Sequence, residues 1–320
     1  MFIEHGENRS PELIRWQYLE HLSGAEVCIA HTEAGLFNEP AAVYAAFPSR
    51  FRLNGMTQIA YQSFDTLTGA QFRGQGLFVR LAEILYQRIA AQGSPLVYGI
   101  PNDESYGGFI RRLDWKSLDP LPIMVRPIGL RYLRVKARLR TPKITGALHD
   151  SSNGIREVSS IPVDVSELTA TSDYLKKDGV IRDIEYFNWR LRRPGNSYRI
   201  LESRDTEGKL HGVLVFELLP KHGCSVGYIM ELMFNERLPS HGDRLVDAAV
   251  SCLKSAGADV VLAWAFSHDQ SSNSLGKFGF RYLPSFLSPI KLHLGYRGLV
   301  SSAQLSAKDF QLSYLDSDTV

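Results

Sequence analysis

Gln71-Phe72-Arg73-Gly74-Gln75-Gly76-Leu77-Phe78 joins two different periodicities. Before it, Phe64-Asp65-Thr66-Leu67-Thr68 closes a run of strand character. After it, Leu77, Leu81, Leu85 and Ile89 recur every fourth residue, the apolar stripe of an amphipathic helix. The order is therefore strand, glycine loop, helix. Such a loop leaves the first amide N–H groups of the helix without intrahelical partners, at the end where the macrodipole places about half a positive charge. Gly74 and Gly76 lack the Cβ that would hold an anion away from those amides, and Arg73 adds a cation. The expected chemistry is a pyrophosphate seated on the helix N-terminus. A nucleotide P-loop needs Lys-Ser/Thr after its last glycine, where Leu77-Phe78 stand. A dinucleotide fingerprint needs a third glycine, which is missing.

Downstream come an apolar strand, Leu96-Val97-Tyr98-Gly99-Ile100, then Pro101-Asn102-Asp103-Glu104-Ser105-Tyr106, and a short helix closing on Leu113-Asp114-Trp115. This order, with the spacing Gln71-x-x-Gly74-x-Gly76, resembles the GCN5-related N-acetyltransferase family. The family's coenzyme A signature is Gln/Arg-x-x-Gly-x-Gly/Ala, and its next helix closes on a Leu-Gly-Phe-like triplet. The match runs from Thr57 to Trp115. It implies a mixed α/β sheet in which the strand before the loop and the strand after the helix splay apart. The co-substrate implied is acetyl-CoA or another acyl-CoA. Its pantetheine arm would pair with Thr66, Leu67 and Thr68, and its pyrophosphate with the amides of Gln71, Phe72, Arg73, Gly74, Gln75, Gly76 and Leu77. Asn102 matches a position that contacts the arm, and it is equally placed to cap a helix.

Acyl transfer to an amine requires removal of an ammonium proton (pKa about 10), a donor for the tetrahedral oxygen, and a proton for the leaving thiolate. In the family the last often comes from a tyrosine on the second helix, but that slot here holds Ile110. Tyr106, one turn earlier, is the candidate general acid. Glu104 and Asp103 are candidate bases, with Asp65 a further option.

A length of 320 residues suits two domains of about 150. An apolar fraction of 44% and a net charge of +2 fit a globular chain, not a disordered or polyanion-coating one. No apolar run approaches the roughly 18–20 residues that span a bilayer. The acidic start, Met1 to Glu7, has no signal-peptide pattern, so a cytoplasmic location is expected. The scattered Cys28, Cys224 and Cys252 have no metal-ligand spacing and read as small buried side chains.

The pattern then repeats. Glu185 to Leu191 matches Glu12 to Tyr18, aligning Trp189 with Trp16. Two strands follow in each copy, expected to close at Pro48 and Pro220. A helix then ends at Gly93 or Gly257, and next come a strand and a short helix. A period of roughly 170 residues is too long for a solenoid and reads as two copies of one domain. The expected division is 1–145 for the first domain with an intact acyl-CoA loop, 146–155 for a linker, 156–300 for the second domain, and 301–320 for a loosely packed polar tail. The second loop, Arg237-Leu238-Pro239-Ser240-His241-Gly242-Asp243-Arg244, has lost the glycine pair, gained a proline and placed Asp243 where a phosphate would sit. The second copy is therefore expected to be non-catalytic. Arg126 to Lys143 is basic without an acid, reading as a solvated crossing segment or a surface for an anionic partner, with no nucleic-acid motif.

The expected activity is transfer of an acetyl or acyl group to the amine of a small-molecule acceptor, an amino sugar or nucleotide sugar. One alternative is an aminoacyl transferase of the peptidoglycan-bridge type, which usually lacks an intact pyrophosphate loop and carries a coiled coil. Another is a non-catalytic acyl-CoA-binding or scaffold protein. Acceptor, acyl length and oligomeric state are not set by the sequence.

Overall fold

Apolar-rich runs build two long antiparallel hairpins, one in each half of the chain, and the helices pack against the sheets they start. The computed structural model describes residues 9–32, 39–118, 121–128, 154–171, 177–221, 223–284 and 292–317. The basic stretch beyond Ile128 and most of the 146–155 linker lie outside the described residues.

The first half contains α1 (Pro11–Tyr18), β1 (Glu26–His31), β2 (Pro40–Leu53), β3 (Met56–Thr68), α2 (Leu77–Ala91), β4 (Leu96–Gly99), α3 (Asp103–Arg112), β5 (Lys116–Ser117) and β6 (Ile123–Pro127). After β7 (Ile155–Val158), α4 (Val165–Thr171) and β8 (Gly179–Val180), the series returns. It runs through α5 (Ile184–Arg190), β9 (Arg199–Arg204), β10 (Leu210–Lys221), β11 (Cys224–Phe234), α6 (Pro239–Ser255), β12 (Val260–Trp264), α7 (Gln270–Lys277), β13 (Arg281–Tyr282) and β14 (Gly295–Gly298). The fold is thus mixed α/β with two seven-stranded sheets.

The sheets do not follow the division expected at residues 145 and 156. One sheet runs β1-β2-β3-β4-β14-β5, with β8 on β2, and the other β13-β6-β12-β11-β10-β9-β7. The last strand of each copy completes the other copy's sheet: β6 lies antiparallel on β12, and β14 on β4. This exchange binds the halves into a common core, in which Phe51 and Tyr98 join Trp264 and Phe266. The repeat itself is visible as a contact. Trp16 and Trp189 stack at 4.7 Å with their planes 7° apart. Each indole N–H donates to the other's carbonyl, at 3.0 and 3.5 Å.

Two expectations need correction. Pro48 does not end its strand; β2 continues to Leu53. On its outer edge β2 pairs with β1 only as far as Ala46 and with β8 only from Phe51, so the proline falls in a gap without a second neighbour. Nor is the tail loosely packed. Phe310, Leu312, Tyr314 and Leu315 are buried in the shared core. Most polar groups between them are matched: Arg182 bonds Asp316, Ser313 Oγ donates to Glu231 at 2.8 Å and Gln311 Nε2 donates to the Val180 carbonyl at 3.1 Å, while Gln311 Oε1 has no partner among the described residues. A polar tail can enter a core when most of its polar groups find partners there.

Candidate active site

The first sheet forks between β3 and β4. These parallel strands pair only at Tyr61–Val97 and Gln62–Tyr98. Beyond Gln62, β3 continues to Thr68 while β4 stops at Gly99. A bulge in β3 contributes: Tyr44 faces Thr66 but Ala46 faces Ser63, so Phe64-Asp65 holds the extra residue. At the apex the backbones nearly touch, and a Cβ on Gly99 would meet the Ser63 carbonyl at 3.1 Å and the Trp115 ring at 3.3 Å. The fork opens into a cleft of about 780 Å³, walled by Ser63 to Thr68, Gly99 to Asn102, Phe78, Phe109 and Leu292 among others.

The glycine loop stands at its mouth. Ala70–Phe72 makes a single 3-10 turn, Arg73 is extended, and Gly74 and Gly76 have φ of 80° and 73°, the left-handed region that glycine enters without strain. α2 starts from Gly76 with no side-chain cap. None of the backbone N–H groups from Gly74 to Val79 has a hydrogen-bond partner among the described residues. A Cβ at either glycine would meet nothing within 4 Å, so the space in front is open. The result is a row of unpaired amides at a helix N-terminus, with Arg73 on the cleft wall beside it.

The other expected residues separate into groups. Thr66, Leu67, Thr68, Asn102 and Glu104 line the cleft with Arg73. Gln71, Phe72, Gly74, Gln75, Gly76 and Leu77 form the loop and first turn at its entrance. Asn102 caps α3, its side chain accepting the Ser105 N–H at 3.0 Å. Asp103 instead pairs with His293 at 2.8 Å. Tyr106 is not among the cleft-lining residues; its ring lies flat on His293, centroids 3.8 Å apart. Ile110 packs against the core under α2. No α3 tyrosine therefore forms part of the cleft wall.

Asp65 is buried, and both its oxygens are held at 2.7 Å by Arg9, with the Tyr18 hydroxyl also donating to it. Arg9 also lines the cleft and was missed in the sequence. The repeat carried the signal: Arg9-Ser10 aligns with Arg182-Asp183, and in each copy the second residue caps the following helix.

No family model and no curated protein sequence matches the chain. Solved structures do. A conserved protein of unknown function from Enterococcus faecalis V583, described as a probable N-acyltransferase, superposes with a TM-score of 0.64 at 12% identity, over 92% of this chain and 67% of its own. A GCN5-related N-acetyltransferase from Anabaena variabilis gives 0.62 at 12% identity, over 92% and 66%. The Saccharomyces cerevisiae N-myristoyltransferase with bound myristoyl-CoA gives 0.59 at 13%, over 91% and 71%. The chain carries the GCN5-related N-acetyltransferase fold, in two copies.

In the second copy of this fold the corresponding fork is filled. β11 and β12 pair through Ile229–Ala263 and then diverge, again beside a bulge. The space left is only about 30 Å³, and its walls carry two ionic clusters. Arg182 bonds Glu231 at 2.7 Å and also Asp316, while Lys177 bonds Asp269 and Glu236. The Phe234 ring presses on the first turn of α6, where a Cβ on Gly242 would meet it at 2.7 Å. Several of the amides are satisfied as well. Leu238 N–H donates to Asn235 O at 2.8 Å and His241 N–H to Leu238 O at 3.0 Å. Arg237 N–H donates to the Asn235 side chain at 3.1 Å, and Pro239 has no N–H. Asp243 pairs with Lys277 at 2.7 Å. The second copy thus lacks the open fork, and three bonded N–H groups together with Pro239 break the row of open amides.

Proposed function

We propose that the protein is an acyl-CoA-dependent N-acyltransferase, working through its first copy on the amine of a small molecule such as an amino sugar or nucleotide sugar. The observation that carries the reading is the row of unpaired amides from Gly74 to Val79 opening onto the forked cleft. An acyl-CoA supplies an activated thioester. The Gly74–Val79 amides and Arg73 would hold its diphosphate, and the edge of β3 at Thr66, Leu67 and Thr68, which has no neighbouring strand beyond Gln62, would pair with its amide-bearing arm. Glu104, exposed on the cleft wall, is assigned as the base that takes the ammonium proton. Asp65 is not, because Arg9 and Tyr18 already occupy its lone pairs; its ion pair stiffens the bulged strand.

Calorimetric titration with acetyl-CoA tests this. One mole per mole of chain is expected, and Asp243→Gly should leave that number at one, because the second fork is closed by packing as well as by charge. Absence of binding defeats the proposal; two sites per chain defeat the asymmetry. Tyr106→Phe is expected to leave turnover of whichever amine is accepted within about twofold, against the 10²–10⁴-fold of a lost general acid. A loss of that size would restore Tyr106 to the mechanism.

A further inference from the structure

Behind the fork apex lies a chain of hydroxyls with a forced direction. Trp115 Nε1–H donates to Tyr86 Oη at 3.0 Å, Tyr86 Oη lies 2.6 Å from Tyr44 Oη, and Tyr44 Oη lies 2.8 Å from Ser63 Oγ. Tyr44, Tyr86 and Trp115 are 0%, 2% and 4% exposed. An indole N–H only donates, so it occupies Tyr86 as acceptor, and the Tyr86 proton has Tyr44 as its acceptor. Tyr44, accepting from Tyr86, gives its own proton to Ser63. The reverse order would orphan a buried O–H, which disfavours it by about fivefold or more. Ser63 Oγ therefore accepts from behind and has its own proton left for the cleft, whose wall it forms.

We propose that Ser63 is a catalytic residue whose hydroxyl donates a hydrogen bond to the thioester carbonyl oxygen of the bound acyl-CoA, with Tyr44 as its positioning residue. This rests on the acyl-CoA reading above. The placement follows from lengths: five residue steps from Thr68 back to Ser63 cover about 17 Å of strand, comparable with an extended pantetheine arm reaching in from the loop. The serine then meets the oxygen on which negative charge develops, where a fixed donor is most effective. Burial pushes the hydroxyls of Tyr44 and Tyr86 above the usual tyrosine range, so the chain holds its protons and donates hydrogen bonds without acting as an acid. It also supplies polarity to a cleft whose second helix offers Ile110 in place of a tyrosine.

The test uses the full chain and acetyl-CoA carrying a ¹³C carbonyl, so no acceptor is needed. On binding the wild type, the infrared carbonyl band should move to lower wavenumber. In Ser63→Ala it should return towards its position in solution, and in Tyr44→Phe the shift should fall to roughly half. Wild type should also bind acetyl-CoA about three- to tenfold more tightly than S-ethyl-CoA, which lacks the thioester carbonyl, and Ser63→Ala should erase that preference, as for one neutral hydrogen bond. An unchanged band and preference in Ser63→Ala, with acetyl-CoA still bound, overturns the serine's role and leaves the acyl-CoA reading standing. Failure of the wild type to bind acetyl-CoA overturns both.

Discussion

Gly74→Glu is expected to abolish acetyl-CoA binding, weakening it by a factor of about 100 or more. Two effects combine. Gly74 sits at φ 80°, where a side chain costs of order 1–3 kcal/mol. The carboxylate also enters the amide row in front of α2 and competes there for the donors and the helix-end potential that a diphosphate needs. Gly74→Ala separates the two. A Cβ at this position touches nothing within 4 Å, so alanine reports the backbone cost alone and should weaken binding by about tenfold. The fold should survive both changes, because the loop is exposed and its amides bond to nothing that would be lost. Calorimetry, with circular dichroism as the control for folding, decides the matter. Binding by Gly74→Glu within threefold of wild type would remove the loop from the site.

The second large effect is on stability. Arg182→Met should cost about 3–5 kcal/mol in urea unfolding, or prevent folding outright. Arg182 is 3% exposed and bonds Glu231, Asp316, Ser313 and the Val180 carbonyl. Its loss leaves two carboxylates buried without a cation, and burial already pushes the Glu231 carboxyl upward. Arg9→Met, the same change at the equivalent position of the first copy, should cost less, about 1–2 kcal/mol. There the carboxylate partner among the described residues is Asp65, and the Arg9 side chain is 16% exposed beside an open cleft where water can replace it. Equal losses for the two arginines would mean that the filled and open forks do not differ in the way proposed.

That pair of arginines shows where sequence reading stops. The alignment of Trp16 with Trp189 was legible because the chain has only four tryptophans and the flanking helices share their pattern. Arg9 and Arg182 were equally aligned, yet nothing in their neighbourhoods tells a clamp on a distant carboxylate from a solvated cation. Tyr106 meets the same limit. Its spacing along α3 was readable, but the surface it faces depends on His293, which arrives from the far end of the chain. The tail looked loosely packed because its polar residues have their partners in Arg182 and Glu231, far away in sequence.

The amino-acid sequence by itself determined the mixed α/β class, the duplication, the amphipathic helix and the glycine loop that leaves its first amides bare. The helix, the loop and the class are local properties, set by residue type at a fixed short spacing, and the duplication is the same local pattern met twice. Only the tertiary structure decided which copy keeps an open fork, which strands change places between sheets, and which side chains wall the cleft. Those outcomes depend on contacts between residues that local periodicity treats as unrelated. There, burial and hydrogen-bond satisfaction choose between arrangements that the chain, read along its length, leaves equal.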